Sequence, residues 1–129
     1  MKLNSKVAVI TGSASNIGRS IALKFAREEA NIVVHTRTNI EGGKEVVREI
    51  QHSGGKAVFL QADLTDCQQV ESLFQQILDY FGRVDILVNN VGSKAAVPFF
   101  ETDKQHWIEA FNNNVLTCVL CSQIAAKMM

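Results

Sequence analysis

Val7-Ala8-Val9-Ile10-Thr11-Gly12-Ser13-Ala14-Ser15-Asn16-Ile17-Gly18 decides the fold of this chain. An apolar run without alternation leads into a turn of small residues, then into a repeat of Ile17, Ile21 and Phe25 at i, i+4. Runs of Val and Ile like the first suit strands buried on both faces of a parallel sheet. The repeat predicts an amphipathic helix, with Ser13 or Ser15 available to cap it. A turn of this kind between a strand and a helix can hold a pyrophosphate for a physical reason. Gly12 permits the tight turn, Gly18 lets the helix pack close to the strand, and free backbone N–H groups point at the anion.

Working outward, the same alternation repeats. Further apolar runs lie at Ile32–Val34, Ala57–Leu60 and Val84–Val88. Val46, Val47 and Ile50 form a helical stripe that stops at Gly54-Gly55, as a helix carboxyl end should. A third helix opens with the capping-box spacing Thr65-x-x-Gln68 and carries Val70, Phe74, Ile77 and Phe81 before Gly82. A fourth opens at Thr102-x-x-Gln105, carries Trp107, Phe111, Val115 and Val119, and runs on toward Met129 with no Gly or Pro. The order β-α-β-α-β-α-β-loop-α predicts one domain, an α/β doubly wound parallel sheet.

Composition narrows the classes of function. The chain has 129 residues, 47% apolar and 20% charged, with zero formal net charge. No electrostatic footprint for nucleic acid or an anionic membrane is present. No apolar stretch reaches the length of a membrane span. Met1–Lys6 leads straight into the first strand with no apolar leader, so a cytoplasmic location is expected. Cys118-Val119-Leu120-Cys121 spells C-x-x-C deep inside a helical pattern. A redox pair belongs at a helix amino end and a zinc site needs four ligands, so both thiols read as small buried hydrophobes. His35, His52 and His106 are isolated, and no metal site is expected.

Thr11-Gly12 with Gly18, then Asn89-Asn90-Val91-Gly92 after Val84–Val88, resemble the short-chain dehydrogenase/reductase family. Asp63-Leu64 and the run Phe81-Gly82-Arg83-Val84-Asp85-Ile86-Leu87-Val88 add to the match, which covers essentially the whole chain. The resemblance implies a Rossmann-type sheet in the order 3-2-1-4, a nicotinamide dinucleotide, and hydride transfer between NADP(H) and a carbonyl or alcohol. It places cofactor contacts at Gly12, Ser13, Ser15, Asn16, Ile17, Gly18, Asp63, Leu64, Asn90, Val91 and Gly92. Asp63 has a second reading as a turn or helix-entry residue. Asp85 is expected to orient backbone groups of the fold, and Asn89 and Asn90 to brace the sheet beside the adenine. Two positions depart from the family pattern. Asn16 stands where a glycine is usual, and Asn is the non-glycine residue best able to take positive φ. Val91 replaces an alanine and adds bulk near the cofactor.

In the family that the chain resembles, the residue after the second strand chooses between the two nicotinamide cofactors. Val34-His35-Thr36-Arg37-Thr38-Asn39 holds no carboxylate to accept from ribose hydroxyls, and Arg37 offers charge-assisted bonds to a 2′-phosphate. NADP(H) is therefore the expected preference, with NAD(H) the lesser ligand.

The family's catalytic residues are Asn, Ser, Tyr and Lys. The Asn matches Asn114, within a run of three that is poor helix material. The acid of a Tyr-x-x-x-Lys pair has no match: the one tyrosine, Tyr80, has Val84 four residues on. The expectation is a dinucleotide-binding domain over residues 1–129, incomplete at its carboxyl end after the fourth strand and following helix, and without turnover alone. Val84–Val88 is then left as an edge strand. The resemblance implies that the last helix helps build a subunit interface, which its outer apolar residues suit, so the complete enzyme is expected to be a dimer or tetramer. A nucleotide-binding or sensing module without catalysis, and a truncation product without function, are the alternatives.

Overall fold

Odd and even residues of the first strand, β1 (Val7–Ile10), enter two different cores. The computed structural model describes residues 2–94 and 96–129. After β1 come α1 (Asn16–Arg27), β2 (Asn31–Thr36), α2 (Ile40–His52), β3 (Lys56–Gln61), α3 (Cys67–Phe81) and β4 (Ile86–Val88). A 3-10 turn (Phe99–Glu101), α4 (Lys104–Phe111), a π-helical segment (Asn112–Leu116) and α5 (Thr117–Met128) complete the chain. The strands pair in parallel in the order β3-β2-β1-β4, with Val9 opposite Val33 on one side and Leu87 on the other. This is the doubly wound sheet that the alternation predicts.

Val7, Val9 and Val33 meet Leu73, Phe74 and Ile77 of α3 and Cys121 and Ala125 of α5. Ala8, Ile10, Ile32 and Val34 meet Ala22 of α1 and Val46 and Ile50 of α2. Each fully buried Val, Ile, Leu or Phe contributes about 1.5–3 kcal/mol relative to exposure, so β1 and β2 carry much of the stability. Burial pushes the Cys121 thiol up to about 12, with the neighbouring Cys118 a smaller cause. It stays a protonated hydrophobe at neutral pH. Cys118 is only partly buried, which corrects the reading of both thiols as core.

The helix starts depart from expectation. Asp66, not Thr65, caps α3, accepting from the N–H groups of Gln68 and Gln69. Asp103, not Thr102, caps α4, and His106 closes the box by accepting the Asp103 N–H. In both places a carboxylate one residue further on takes the cap, because its charge also favours the positive end of the helix. Ser15 occupies the cap position of α1 but makes no side-chain bond there. The run Asn112-Asn113-Asn114 falls in the π-helical segment, the local distortion that weak helix formers allow.

The stripe Trp107, Phe111, Val115 and Val119 does not enter the core. All four side chains are exposed, and no residue of α4 is buried. Thr117, Cys121 and Ala125 face the core instead.

Candidate functional site

The carboxyl ends of β1 and β4 carry the two glycine-bearing turns side by side. Gly12 has φ 63° and Asn16 has φ 51°. Asn16 thus takes the left-handed conformation that its amide tolerates and most side chains do not. A Cβ on Gly18 would lie 2.4 Å from the Gly12 carbonyl oxygen and 2.5 Å from Asn90 Nδ2. Only glycine lets α1 start so close to the turn and to the second motif.

The turn divides its backbone N–H groups into two sets. Gly12 N–H donates to His35 Nδ1 at 3.0 Å, and Ser13 N–H donates to the His35 carbonyl at 2.9 Å. The N–H groups of Ala14, Ser15, Asn16, Ile17 and Gly18 have no acceptor among the described residues. Five adjacent free donors at the amino end of a 12-residue helix make an anion-binding surface. Ser13 lies inside the turn: its buried hydroxyl donates to the Ile10 carbonyl at 2.6 Å and accepts from His35 N–H at 3.0 Å. Ile17 projects outward, 70% exposed, beside the free donors.

Thr11 joins the two turns. Its buried hydroxyl donates to the Val88 carbonyl and accepts from the N–H groups of Asn90 and Val91. Asn90 Nδ2 returns a bond to the Gly12 carbonyl at 3.1 Å. Val91 lies against Gly12, its Cγ2 3.2 Å from where a Cβ would stand. Asn89 reaches the other way and donates to Ser122 Oγ of α5 at 3.0 Å. Asp85 accepts the Val7 N–H at 2.8 Å, the backbone-orienting role expected of it.

A groove runs from this point between the ends of β2 and β3, walled by Arg37, Asp63, Leu64, Val91, Gly92 and Asn113 among others. Asp63 Oδ1 accepts both the hydroxyl and the N–H of Thr65. Those two bonds hold its carboxyl below the usual range, and the Arg37 charge adds a smaller pull. Asp63 thus shapes the turn, as one of its two readings has it, and it also lines the groove. Leu64 is buried, with its edge on the groove. Arg37 is exposed, and Gln61 Nε2 fixes its backbone by donating to its carbonyl at 2.9 Å. A second cleft at the opposite end of the sheet is lined by Arg27, Glu29, Glu49 and Lys56. It faces the carboxyl ends of α1 and α2, where the dipole disfavours anions, and lies away from the strand ends that bind ligands in such sheets.

Asn114 stands apart from its two neighbours. Its Oδ1 accepts the Ser93 N–H, and its Nδ2 donates to the carbonyls of Ser93 and Ala110, all at 2.9–3.0 Å. It therefore locks the loop after β4 onto the π-helical segment. A Cβ on Gly92 would come within 2.8 Å of that Oδ1, so glycine there makes room for the lock. Tyr80 is exposed on α3 and lines none of this.

Two residues escape the sequence reading: Thr11, seen only as part of a motif, and His35, seen only as no metal ligand. A polar side chain next to an apolar strand is the signal for both, because a buried polar group must find partners. Among the described residues, no three His, Cys, Asp or Glu side chains are grouped to hold a metal, and no helix is long and apolar enough to cross a membrane.

A family model described as short chain dehydrogenase matches residues 6–129. An uncharacterized oxidoreductase of Methylorubrum extorquens is 38% identical over 98% of this chain and 51% of its own length. A hydroxynaphthalene reductase of Aspergillus fumigatus is 40% identical over 88% of this chain and 42% of its own. Among solved structures, a short chain dehydrogenase from Burkholderia cenocepacia in complex with NADP superposes with a TM-score of 0.94 at 30% identity. That match takes in 100% of this chain and 53% of the other. A putative short-chain alcohol dehydrogenase from Sinorhizobium meliloti gives 0.91 at 32% identity, over 98% and 50% of the two chains. The chain thus spans about half the length of the relatives it matches.

Proposed function

The chain belongs to the short-chain dehydrogenase family, and from that premise we propose that it is the cofactor-binding part of an NADP-dependent reductase. The observation that carries this is the set of five free N–H donors from Ala14 to Gly18, at the crevice between the ends of β1 and β4. They suit a pyrophosphate, and Gly12 and Gly18 leave it room to approach. The groove beside Asp63 and Leu64 suits the adenine, and Arg37 at its rim suits a 2′-phosphate. Ser15, Asn16 and Ile17 line the approach, and Val91 and Gly92 wall the same groove as Asp63 and Leu64. Bound there, NADPH supplies the hydride for a carbonyl substrate, or NADP accepts one from an alcohol.

The chain's own residues supply position. Thr11 and Asn90 fix the two turns against each other, and Asn114 holds the Ser93 loop to the π-helical segment. A Tyr-x-x-x-Lys pair does not occur in the 129 residues, so we expect cofactor binding without turnover from them alone. Steady reduction of a broad carbonyl panel by the purified chain would overturn that. The exposed apolar stripe from Trp107 to Val119 supports assembly of the enzyme as a homo-oligomer. The lack of a Tyr-x-x-x-Lys pair in these 129 residues leaves a second reading, a nucleotide-binding module without catalysis. Tight NADPH binding by a cooperatively folding 129-residue chain is its mark.

The cofactor test is a fluorescence titration with NADPH and NADH. Arg37→Ala should weaken NADPH roughly 10- to 100-fold, the effect of losing a charge-assisted hydrogen bond, and leave NADH nearly unchanged. Equal affinity of the unsubstituted chain for both would overturn the NADP assignment.

A further inference from the structure

His35 occupies an unusual place for an imidazole. It ends the apolar core of β2, is 1% exposed, and has both ring nitrogens engaged. Nδ1 lies 3.0 Å from the Gly12 backbone nitrogen, which can only donate. Nε2 lies 2.9 Å from the Ala62 carbonyl, which can only accept. The ring is therefore neutral, with its one proton on Nε2. Its own backbone completes the grip, donating N–H to Ser13 Oγ and accepting the Ser13 N–H.

We propose that the neutral imidazole of His35 is a positioning residue of the nucleotide site, and that a proton on Nδ1 releases the turn. The proposal rests on the reading that this turn binds a dinucleotide. The ring spans from the turn after β1 to the end of β3, so it sets the anion-binding turn against the groove wall at Ala62-Asp63. Gly12 sits at positive φ and its N–H is turned inward to the ring, as Ser13 N–H is to the His35 carbonyl, while the N–H groups of Ala14–Gly18 stay free of acceptors among the described residues. An imidazolium has no acceptor for that N–H. Two donors would then face each other in a dry site, and the Gly12 turn must shift or the ring must leave.

No charged side chain hydrogen-bonds the ring. Of the groove's lining residues only Arg37 and Asp63 are charged, and neither hydrogen-bonds His35. Asn113 of the π-helical segment, Thr117 of α5 and Thr65 after β3 are uncharged. Burial pushes the ring below its ordinary value, opposed in part by the Ala62 carbonyl. A lowered folded value means the unfolded chain takes the proton first. The grip is therefore complete above about pH 6.5 and is lost as pH falls toward the folded value.

The test is calorimetric titration with acid-stable NADP from pH 8 to pH 5, on the unsubstituted chain and two variants. In the unsubstituted chain, affinity should hold through pH 6.5 and fall only as the pH passes below the folded ring's lowered value, by up to about tenfold per pH unit, the limit for one linked proton. His35→Asn keeps an acceptor near Gly12 and cannot titrate, so it should bind at pH 8 with the steep acid loss removed. His35→Leu offers neither an acceptor for Gly12 nor a donor for Ala62, so it should bind weakly at every pH. The 2′-phosphate titrates equally in all three and drops out of the comparison. Ring NMR at pH 7 should show the Nε2–H tautomer. An Nδ1–H tautomer, or the same acid slope in the chain and in His35→Asn, overturns the proposal. No NADP binding by the unsubstituted chain at pH 8 would instead sink the nucleotide reading itself.

Discussion

Residues 7–81 and residues 84–129 follow one strand–helix plan, yet the first stretch has much more of its apolar surface covered. Every residue of β1 is buried, α2 lays Val46 and Ile50 into one core, and α3 lays Leu73, Phe74 and Ile77 into the other. Beyond Asp85 the burial thins. All three residues of β4 are only partly buried, and among the described residues the strand pairs on one side alone. Phe74 is 0% exposed, whereas Phe111, on the same periodicity in α4, is 54% exposed. The sequence pattern of the two helices is alike, so the difference lies in what stands opposite them. An apolar stripe says that a helix face expects cover, but not whether its own domain provides it.

The largest effect expected within this comparison is at Phe74. Phe74→Ala should cost about 3–5 kcal/mol, because the sheet and helices around it cannot close the cavity. Chemical unfolding followed by circular dichroism measures it. A cost under about 1 kcal/mol would mean the first stretch is as loosely held as the second.

What was legible in the sequence divides along the same line. Val7–Ile10, Ile32–Val34 and Ala57–Leu60 announce their strands because burial on both faces leaves no room for polar residues. The helix starts were each one residue off at Asp66 and Asp103, since Thr and Asp both cap and spacing alone does not rank them. The inward turn of α5 onto Cys121 and Ala125, rather than along the larger Val115–Val119 stripe, was not legible. It depends on small residues fitting against α3, a property of the pair and not of either helix. The turns at Gly12 and Asn90 were legible as motifs. The clamp that His35 applies to one of them was not, because its partners Gly12 and Ala62 are 23 and 27 residues away and contribute only backbone atoms.

A middle-sized effect is expected at the seam. Asp85 accepts the N–H of Val7 and donates its own N–H to the Val7 carbonyl, which fastens the start of β4 to β1. Asp85→Ala leaves a buried N–H without a partner and should cost about 1–3 kcal/mol, whereas Asp85→Asn keeps an acceptor and should cost less. The Arg83 guanidinium, and secondarily the Val7 N–H, hold the Asp85 carboxyl below its usual range. A depressed folded value means this stabilisation is present above about pH 4 and fades as the pH drops below it. The unfolding midpoint of the unsubstituted chain should therefore fall more steeply below pH 4 than that of Asp85→Asn. Parallel acid slopes would show that the seam does not depend on this carboxylate.

The smallest effect is expected at Phe111, and it is the most discriminating because the prediction is of near silence. If the α4 face has no cover within these residues, Phe111→Ser removes no buried contact and should change unfolding by less than about 0.5 kcal/mol. The side chain is already half in water, as are Trp107 and Ile108 beside it. Its effect belongs to association: an exposed apolar face drives contact between molecules, so sedimentation velocity at rising concentration should show less self-association for the variant. A loss of several kcal/mol in dilute unfolding would place Phe111 in a core, and the contrast between the two stretches would collapse. Unchanged stability with unchanged association would leave the stripe exposed yet not adhesive, and the homo-oligomer reading would go. Silence in the first measurement and a change in the second is the pair of results that an uncovered interface face requires.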